Sequence, residues 1–185
     1  TVSMRCEGNT GKRNPKREEE PSGSLFYSYG QITLNLLFPD FYKSYPPSSY
    51  PELESKSRRP YVVLVVLIDG NRFAIPFRTT VRHPYCFKFA KTGRTSEAST
   101  AIDYTKAVIV NDPEFIGSVG YVDHLEYMEL TSHIRLIVKQ FEAFVRNYVK
   151  YASDPIKFAY QMEKFDYCTL KYFRKELGLP PLDNR

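Results

Sequence analysis

One hairpin constrains the fold of this chain more than any other feature. Residues 61–68 read YVVLVVLI, and aliphatic or β-branched side chains on both faces predict a central strand. Asp69-Gly70 supplies the positive φ angles of a two-residue hairpin turn. Residues 71–77, NRFAIPF, return as the partner strand. Because Pro76 has no N–H to donate, we expect this partner to leave the hydrogen-bond ladder at about that point.

The remaining strands are predicted on both sides of the hairpin. QITLNLLF (31–38) and YTKAVIV (104–110) have strand patterns, and EFIGSVGYV (114–122) is a weaker one. The segment 38–60 carries five prolines, which exclude a long helix or a central strand and predict a surface connection. Residues 78–106 are expected to form a long connection of functional or mobile character.

Helices are predicted to follow the strands. Apolar residues recur at helical spacing after a cap at Thr131 or Ser132. A short helix is expected to start at Pro155, and Asp166 is expected to cap a last helix over 167–177. This order favours an α+β fold with a small antiparallel sheet or barrel.

The chain is predicted to contain one folded domain. Residues 1–24 are polar and rich in Gly, Pro and Ser, so we expect a flexible tail or a segment added for expression. Residues 25–185 then form a single domain. No apolar run reaches the length of a membrane span and residues 1–24 lack the apolar middle of a signal peptide, which predicts no membrane association and no export.

Charge and cysteine content narrow the chemistry. The net charge of +5 is compatible with a polyanion partner if the cations share one face. Cys6, Cys86 and Cys168 are far apart, which argues against a disulfide framework and a zinc knuckle and favours the cytoplasm. The sequence contains no cluster of Asp, Glu and His residues that would bind a metal ion, so we expect neither a metal nor another cofactor.

The returning strand runs into a group of cations, hydroxyls and one imidazole, Arg78 to His83. Hairpin geometry brings Arg59, which precedes the central strand, to the same edge as Arg78. Guanidinium groups bind phosphate bidentately, threonine hydroxyls can donate to a non-bridging oxygen, and tyrosines such as Tyr42, Tyr45 and Tyr50 could stack on unpaired bases. These are the requirements of RNA cleavage in which the 2′-hydroxyl attacks its own phosphate.

Plainer interpretations stay open. An Arg-Thr-Thr-x-Arg-His run at a strand end is often a solvated rim, and a lone histidine is more often structural than catalytic. Asp103 could orient a base, or it could simply form a turn.

Four segments carry a resemblance to a known family. DFYKSYPPSSYPELE, RRPYVVLVVLIDGNRFAIPFRTTVRH, DYTKAVIV and YCTLKYFRKELGL together resemble the TenpN toxins of type III toxin–antitoxin systems, in the wider ToxN, CptN and AbiQ group. The resemblance covers residues 38–182.

The resemblance implies a strongly bent antiparallel β core, similar to MazF and Kid, with C-terminal helices. It implies a metal-independent endoribonuclease that leaves a 2′,3′-cyclic phosphate on cellular or phage RNA and acts in phage defence. The implied partner is a repeated, structured RNA antitoxin, which the toxin processes and with which it assembles into closed rings.

The resemblance also assigns site residues. The active-site hydroxyl that follows the Pro-Phe of the second hairpin strand corresponds to Thr79, where relatives are expected to carry serine. Arginines stand where lysines are expected and titrate poorly, so His83 is the residue to test for proton transfer. The predicted catalytic residues are Thr79, Thr80, Arg82, Arg59, Tyr42 and His83. The predicted RNA-binding residues are Arg78, Lys56, Arg58, Lys88, Lys91, Arg94, Lys106, Tyr45 and Tyr50.

Two other functions compete with the ribonuclease. The same groove could hold structured RNA without cutting it. A weaker hypothesis makes the aromatic helices at 134–177 a protein-interaction face, although an ordinary core explains that stripe better.

Overall fold

An antiparallel sheet is followed along the chain by helices, which confirms the predicted α+β class. The computed structural model describes residues 25–27, 30–53, 62–93 and 100–181, with backbone only for those before residue 32. The strands are β1 Leu25–Tyr27, β2 Gly30–Leu37, β3 Val62–Ile68, β4 Asn71–Arg78, β5 Cys86–Lys88, β6 Ala101–Asp103, β7 Val108–Ile109 and β8 Ile116–Val119. The α-helices are α1 Pro39–Ser44, α2 His124–Ser153 and α3 Met162–Phe165. The predicted tail, residues 1–24, lies outside the described residues.

The predicted hairpin is confirmed. β3 and β4 pair antiparallel from Val63↔Pro76 to Ile68↔Asn71. The turn residues have the positive φ angles that the Asp-Gly pair predicted, 48° at Asp69 and 80° at Gly70.

The second arm of the hairpin is longer than predicted. β4 does not leave the sheet at Pro76, because Phe77 and Arg78 pair with Ile102 and Ala101 of β6 along its other edge. A proline removes one donor from the ladder, and the residues beyond it remain free to pair with a different neighbour. Arg78 is therefore held inside a strand rather than in a connecting loop.

The sheet is open among the described strands. Its order is β1-β2-β3-β4-β6-β5, with β8 added to β2 and β7 added to β4. The outer edges of both β2 and β4 are each shared by two short strands. These strands therefore do not close into a barrel, the alternative that the sequence had left open.

The connection after the hairpin is more structured than the sequence indicated. The long loop expected over 78–106 contains β5 and β6, which pair with each other. Conversely, the strand expected over 104–110 is only β7, because Tyr104–Lys106 form a 3-10 turn. Asp103 accepts from the backbone N–H of Thr105 and so favours this turn over an extended chain.

The long helix begins eight residues before the predicted start. α2 starts at His124, and its cap is Asp123, whose carboxylate accepts from the N–H groups of Leu125 and Glu126 at 3.0 and 3.4 Å. Neither Thr131 nor Ser132 caps it. The apolar periodicity did not mark the first turns, because one of their buried positions is occupied by the charged Glu126. Glu126 accepts a 2.7 Å hydrogen bond there from the Thr92 hydroxyl.

The C-terminal helices also differ from prediction. Turns follow Pro155 before a 3-10 turn and the four-residue α3. Instead of an α-helix capped by Asp166, the structure has a 3-10 helix at Thr169–Phe173, preceded by Cys168 without a side-chain cap.

The stripe along α2 is core. Phe141 is fully buried and meets the ring of Phe73 on β4 edge-to-face, with centroids 5.3 Å apart. Burying a phenylalanine of this kind contributes about 1.5–3 kcal/mol. The stripe also buries Ile134, Ile137, Val145 and Tyr148, which favours the core interpretation over an interaction face. Within the described part of the chain, no helix has the length and apolar character to cross a membrane.

Candidate active site

A buried carboxylate organises the polar residues at the end of the hairpin. Asp103 is fully buried, and its Oδ2 accepts a hydrogen bond from Nη1 of Arg78 at 2.8 Å. Its Oδ1 accepts from the N–H and the hydroxyl of Thr105, at 3.0 and 2.7 Å. Nε2 of His83 lies 3.3 Å from the same Oδ1. We call these four residues the Asp103 cluster.

Strand register brings the cluster together. Arg78 on β4 pairs with Ala101 on β6, and Asp103 lies two residues further along β6, so its side chain is on the same face. Asp103 in turn pairs with Cys86 of β5, three residues after His83. The cluster therefore depends on three adjacent strands.

Its electrostatics follow from burial. A carboxylate removed from water is costly unless cations and hydrogen-bond donors replace the lost hydration. Asp103 receives one guanidinium, one backbone N–H and one hydroxyl. Arg78 and His83 remain partly accessible, with 25% and 34% of their side chains exposed. Nδ1 of His83 is buried without a hydrogen-bond partner, a polar atom still available to a ligand that reaches it.

A small cavity adjoins the cluster, since Arg78 is part of its lining. The other polar lining residues are Tyr42, Glu52, Lys106 and Thr169. Its volume of about 40 Å³ admits water-sized groups and not a nucleoside. Nζ of Lys106 donates to the Tyr167 carbonyl at 3.0 Å, which fixes the ammonium beside this cavity. The structure thus brings three of the predicted site residues, Tyr42, Arg78 and Lys106, to one cavity.

The residues after β4 alternate between exposure and burial. Thr79, Thr80 and Arg82 are exposed, whereas Val81 between them is buried. Thr80 has φ 63°, a left-handed conformation that a β-branched residue rarely adopts. We call the exposed Thr79, Thr80 and Arg82, which lie between Arg78 and His83 in the chain, the rim.

The predicted stacking tyrosines face inward. Tyr45 stacks on Phe41 with centroids 4.7 Å apart, and Tyr50 meets Tyr45 edge-to-face at 5.1 Å. Tyr50 also contacts Tyr172 at 4.9 Å. Burial raises the pKa of Tyr45, with Glu176 as a further cause. These rings stabilise the packing of the proline-rich connection, and stacking on RNA would compete with that packing.

The other predicted cations divide into two groups. Lys88 and Lys91 are exposed, on β5 and just after it. Lys56, Arg58, Arg59 and Arg94 lie outside the described residues, so the predicted meeting of Arg59 with Arg78 stays a prediction.

Sequence reasoning gave too little weight to one residue and missed another. Asp103 was open to two interpretations, base orienter or turn former, and it makes both kinds of contact: it caps the turn at Thr105 and holds Arg78 and His83. Thr105 is the member of the cluster that is not among the predicted site residues. The Asp-Tyr-Thr triplet after a β-branched residue is an Asx-turn signal that could have marked both residues.

Groups of three or more His, Cys, Asp or Glu residues that could hold a metal ion do not occur among the residues the structure describes. Comparison of the chain with protein-family models, curated proteins and solved structures yields no match, so the similarity to TenpN toxins rests on the sequence segments alone.

Proposed function

We propose that this chain is a metal-independent endoribonuclease acting at the Asp103 cluster and the rim, Thr79, Thr80 and Arg82, which lies between Arg78 and His83 in the chain. The observation that carries the proposal is the convergence of Arg78 and His83 on the buried Asp103 carboxylate, at 2.8 and 3.3 Å. A carboxylate that orients an imidazole beside a guanidinium supplies a base and a phosphate-binding cation in one place.

The proposed reaction is an internal transfer within RNA. The 2′-oxygen forms a bond to phosphorus and the bond from phosphorus to the 5′-oxygen breaks. His83 takes the proton of the 2′-hydroxyl, and the phenol of Tyr42 gives a proton to the departing 5′-oxygen. Arg78 and Arg82, with Arg59 from outside the described residues, neutralise the phosphate. The products are a 2′,3′-cyclic phosphate and a 5′-hydroxyl.

The rim has a separate part in this proposal. Thr79 or Thr80 donates a hydroxyl hydrogen bond to a non-bridging oxygen. Because Nδ1 of His83 is buried, the proposed reaction also requires a movement that exposes this atom to RNA. The left-handed Thr80 supports such a movement, since strained backbone is concentrated at sites that change conformation.

The biological part of the proposal rests on the resemblance. We propose a toxin of a type III toxin–antitoxin system, inhibited by a repeated structured RNA with which it forms closed rings. Expression in a bacterium should arrest growth, and tandem short repeats are expected in the DNA immediately upstream of the gene. Co-expression of those repeats should restore growth.

Incubation of the purified chain with single-stranded RNA in EDTA tests the enzymatic part. We expect fragments that end in a 2′,3′-cyclic phosphate. The cleavage rate of His83→Gln should be lower than that of the wild type by a factor of about 10² or more. Arg82→Ala should also be slower, whereas His124→Gln, an exposed histidine at the start of α2, should cut like the wild type. Intact RNA with the wild type, or equal rates for all variants, would contradict the proposal.

A second function is favoured by one observation. Arg78 and His83 both direct a nitrogen at Asp103, so the cluster can also serve as a fixed support for a basic surface. A module that binds structured RNA without cutting it would then show tight, salt-dependent binding, no fragments in EDTA and harmless expression.

A further inference from the structure

A second cavity lies beside the Asp103 cluster, between β5 and the middle of α2. Its volume is about 290 Å³, just below the usual range of ligand-binding pockets, which suits a small ligand group. Five of its lining residues carry polar groups that can hydrogen-bond: Tyr85, Tyr104, Gln140, Asn147 and Lys164. We propose that this base cavity binds one unpaired nucleobase next to the cleaved phosphate and sets the sequence preference, an inference that rests on the proposed ribonuclease function.

Position is the first argument. The ring of Tyr85 lies nearly parallel to that of His83, with centroids 6.1 Å apart and planes 24° apart. Cys86, which also lines the cavity, is the direct strand partner of Asp103. A base in the cavity would therefore lie within one nucleotide of the proposed reacting groups, which is where a nuclease reads sequence.

Hydrogen-bonding capacity is the second argument. The Tyr104 hydroxyl donates to Oε1 of Gln140 at 2.9 Å, which orients the amide and leaves its NH₂ group to donate elsewhere. Asn147 lies seven residues further along α2, on nearly the same face. Each amide carries a donor and an acceptor side by side, the combination that recognises base edges in single-stranded RNA.

The third argument concerns Lys164. Its Nζ lies over the rings of Tyr85, Phe144 and Phe165, at 5.1, 5.3 and 5.1 Å from their centroids. Burial lowers the pKa of Lys164, which reflects the partial loss of water around the ammonium. A cation fixed by three aromatic faces at a cavity wall is prepared to contact an electron-rich base or its phosphate.

Another large cavity does not share these properties. It lies at the turn end of the hairpin, lined among others by Asp69, Arg146 and Lys150. Asn71 and Arg78 are the two ends of β4, about 23 Å apart at 3.3 Å per residue, so this cavity does not adjoin the Asp103 cluster. It provides a location for control variants.

The test is the cleavage of a randomised single-stranded RNA pool in EDTA, with sequencing of the new ends. We expect the wild type to prefer particular bases at one fixed position beside the cut. Gln140→Ala and Asn147→Ala should each reduce that preference about fivefold or more, measured within one pool as the ratio of cuts beside the preferred base to cuts beside the other bases. Alanine suits a helix. Gln140→Ala also removes the acceptor of the buried Tyr104 hydroxyl, so Asn147→Ala is the variant with the smaller expected effect on folding. Ser132→Ala, an exposed polar position on the same helix, should keep the preference.

The outcomes separate the two proposals. Cleavage with the wild-type preference in both amide variants, or cleavage without any preference, would overturn the base cavity and leave the ribonuclease intact. Absence of cleavage would overturn the ribonuclease. Binding of short oligonucleotides of each single base would then test the cavity. Affinities of the wild type that differ between bases, with the difference lost in the two variants, would support it. Equal affinities of the wild type for all four bases would refute it.

Discussion

The Arg78 guanidinium donates a 2.8 Å hydrogen bond to the buried carboxylate of Asp103, a residue 25 positions later in the chain. The contact exists because β4 runs two residues beyond Pro76 and meets β6 there. It joins the end of the central hairpin to Asp103, the residue of β6 that Thr105 and His83 also approach. Stability and the proposed chemistry therefore depend on the same pair.

Substitution of Arg78 or Asp103 should show how much the stability of the fold depends on their contact. Arg78→Met leaves the Asp103 carboxylate without its cation and should lower the free energy of unfolding by about 2–3 kcal/mol, somewhat below the cost for fully buried pairs because Arg78 is partly exposed. Asp103→Asn should also destabilise. The double variant should be at least about 1 kcal/mol more stable than the sum of the two losses predicts, as measured by urea denaturation. Additive losses would show that the two side chains are independent.

The strained backbone at Thr80 predicts a stabilising substitution. Thr80→Gly removes a left-handed β-branched residue and should raise the free energy of unfolding by about 0.5–1 kcal/mol. Asp69→Gly is the matched control, since Asp69 also has a positive φ but is a residue type that tolerates it. Its change should be close to zero. A loss of stability in Thr80→Gly would mean that the threonine makes contacts that outweigh its strain.

RNA binding should depend on exposed cations near the rim and not on those at the turn end of the hairpin. Lys88→Gln should reduce the slope of log affinity against log salt concentration by about 0.7 for single-stranded RNA. Lys150→Gln changes the same charge at the far cavity and should leave the slope unchanged. Titrations at several salt concentrations measure both slopes, and equal effects of the two variants would argue against a localised RNA surface.

Alkaline pH should destabilise the fold through a buried thiol. Burial raises the pKa of Cys168 from its ordinary value of 9.0 to about 12. The unfolded chain therefore loses this proton first, so the contribution is complete below pH 9 and is lost as the pH rises towards 12. The slope should reach about 1.4 kcal/mol per pH unit.

Urea denaturation between pH 8 and 10.5 measures this slope. Cys168→Ala is less stable at pH 8 because it leaves a cavity, but its stability should fall less steeply with pH. Tyr104 and Tyr148, whose pKa values are also raised by burial, act in the same direction in both proteins. Parallel curves for wild type and variant would exclude the thiol as a cause.

Local patterns in the sequence predicted the elements that depend on few neighbours. Alternation and an Asp-Gly turn were sufficient for the β3–β4 hairpin, and helical periodicity was sufficient for the buried face of α2. Local patterns failed where a contact with a residue distant in the sequence determines whether a side chain is buried. Glu126 occupies a buried position and accepts a hydrogen bond from Thr92, and a charged residue at a core position hides the beginning of α2 from the apolar pattern.

The sequence alone therefore determined the central hairpin, the core stripe of α2 and the presence of Arg78 to His83 after the second strand, since periodicity and turn chemistry act over a few residues. Only the tertiary structure decided that Asp103 joins Arg78 to His83, that Tyr45 and Tyr50 pack inward, and that Gln140 lies beside Tyr104. Those contacts depend on which strands pair and which helix covers them, and burial sets their energies through the loss of water, a quantity that no local pattern contains.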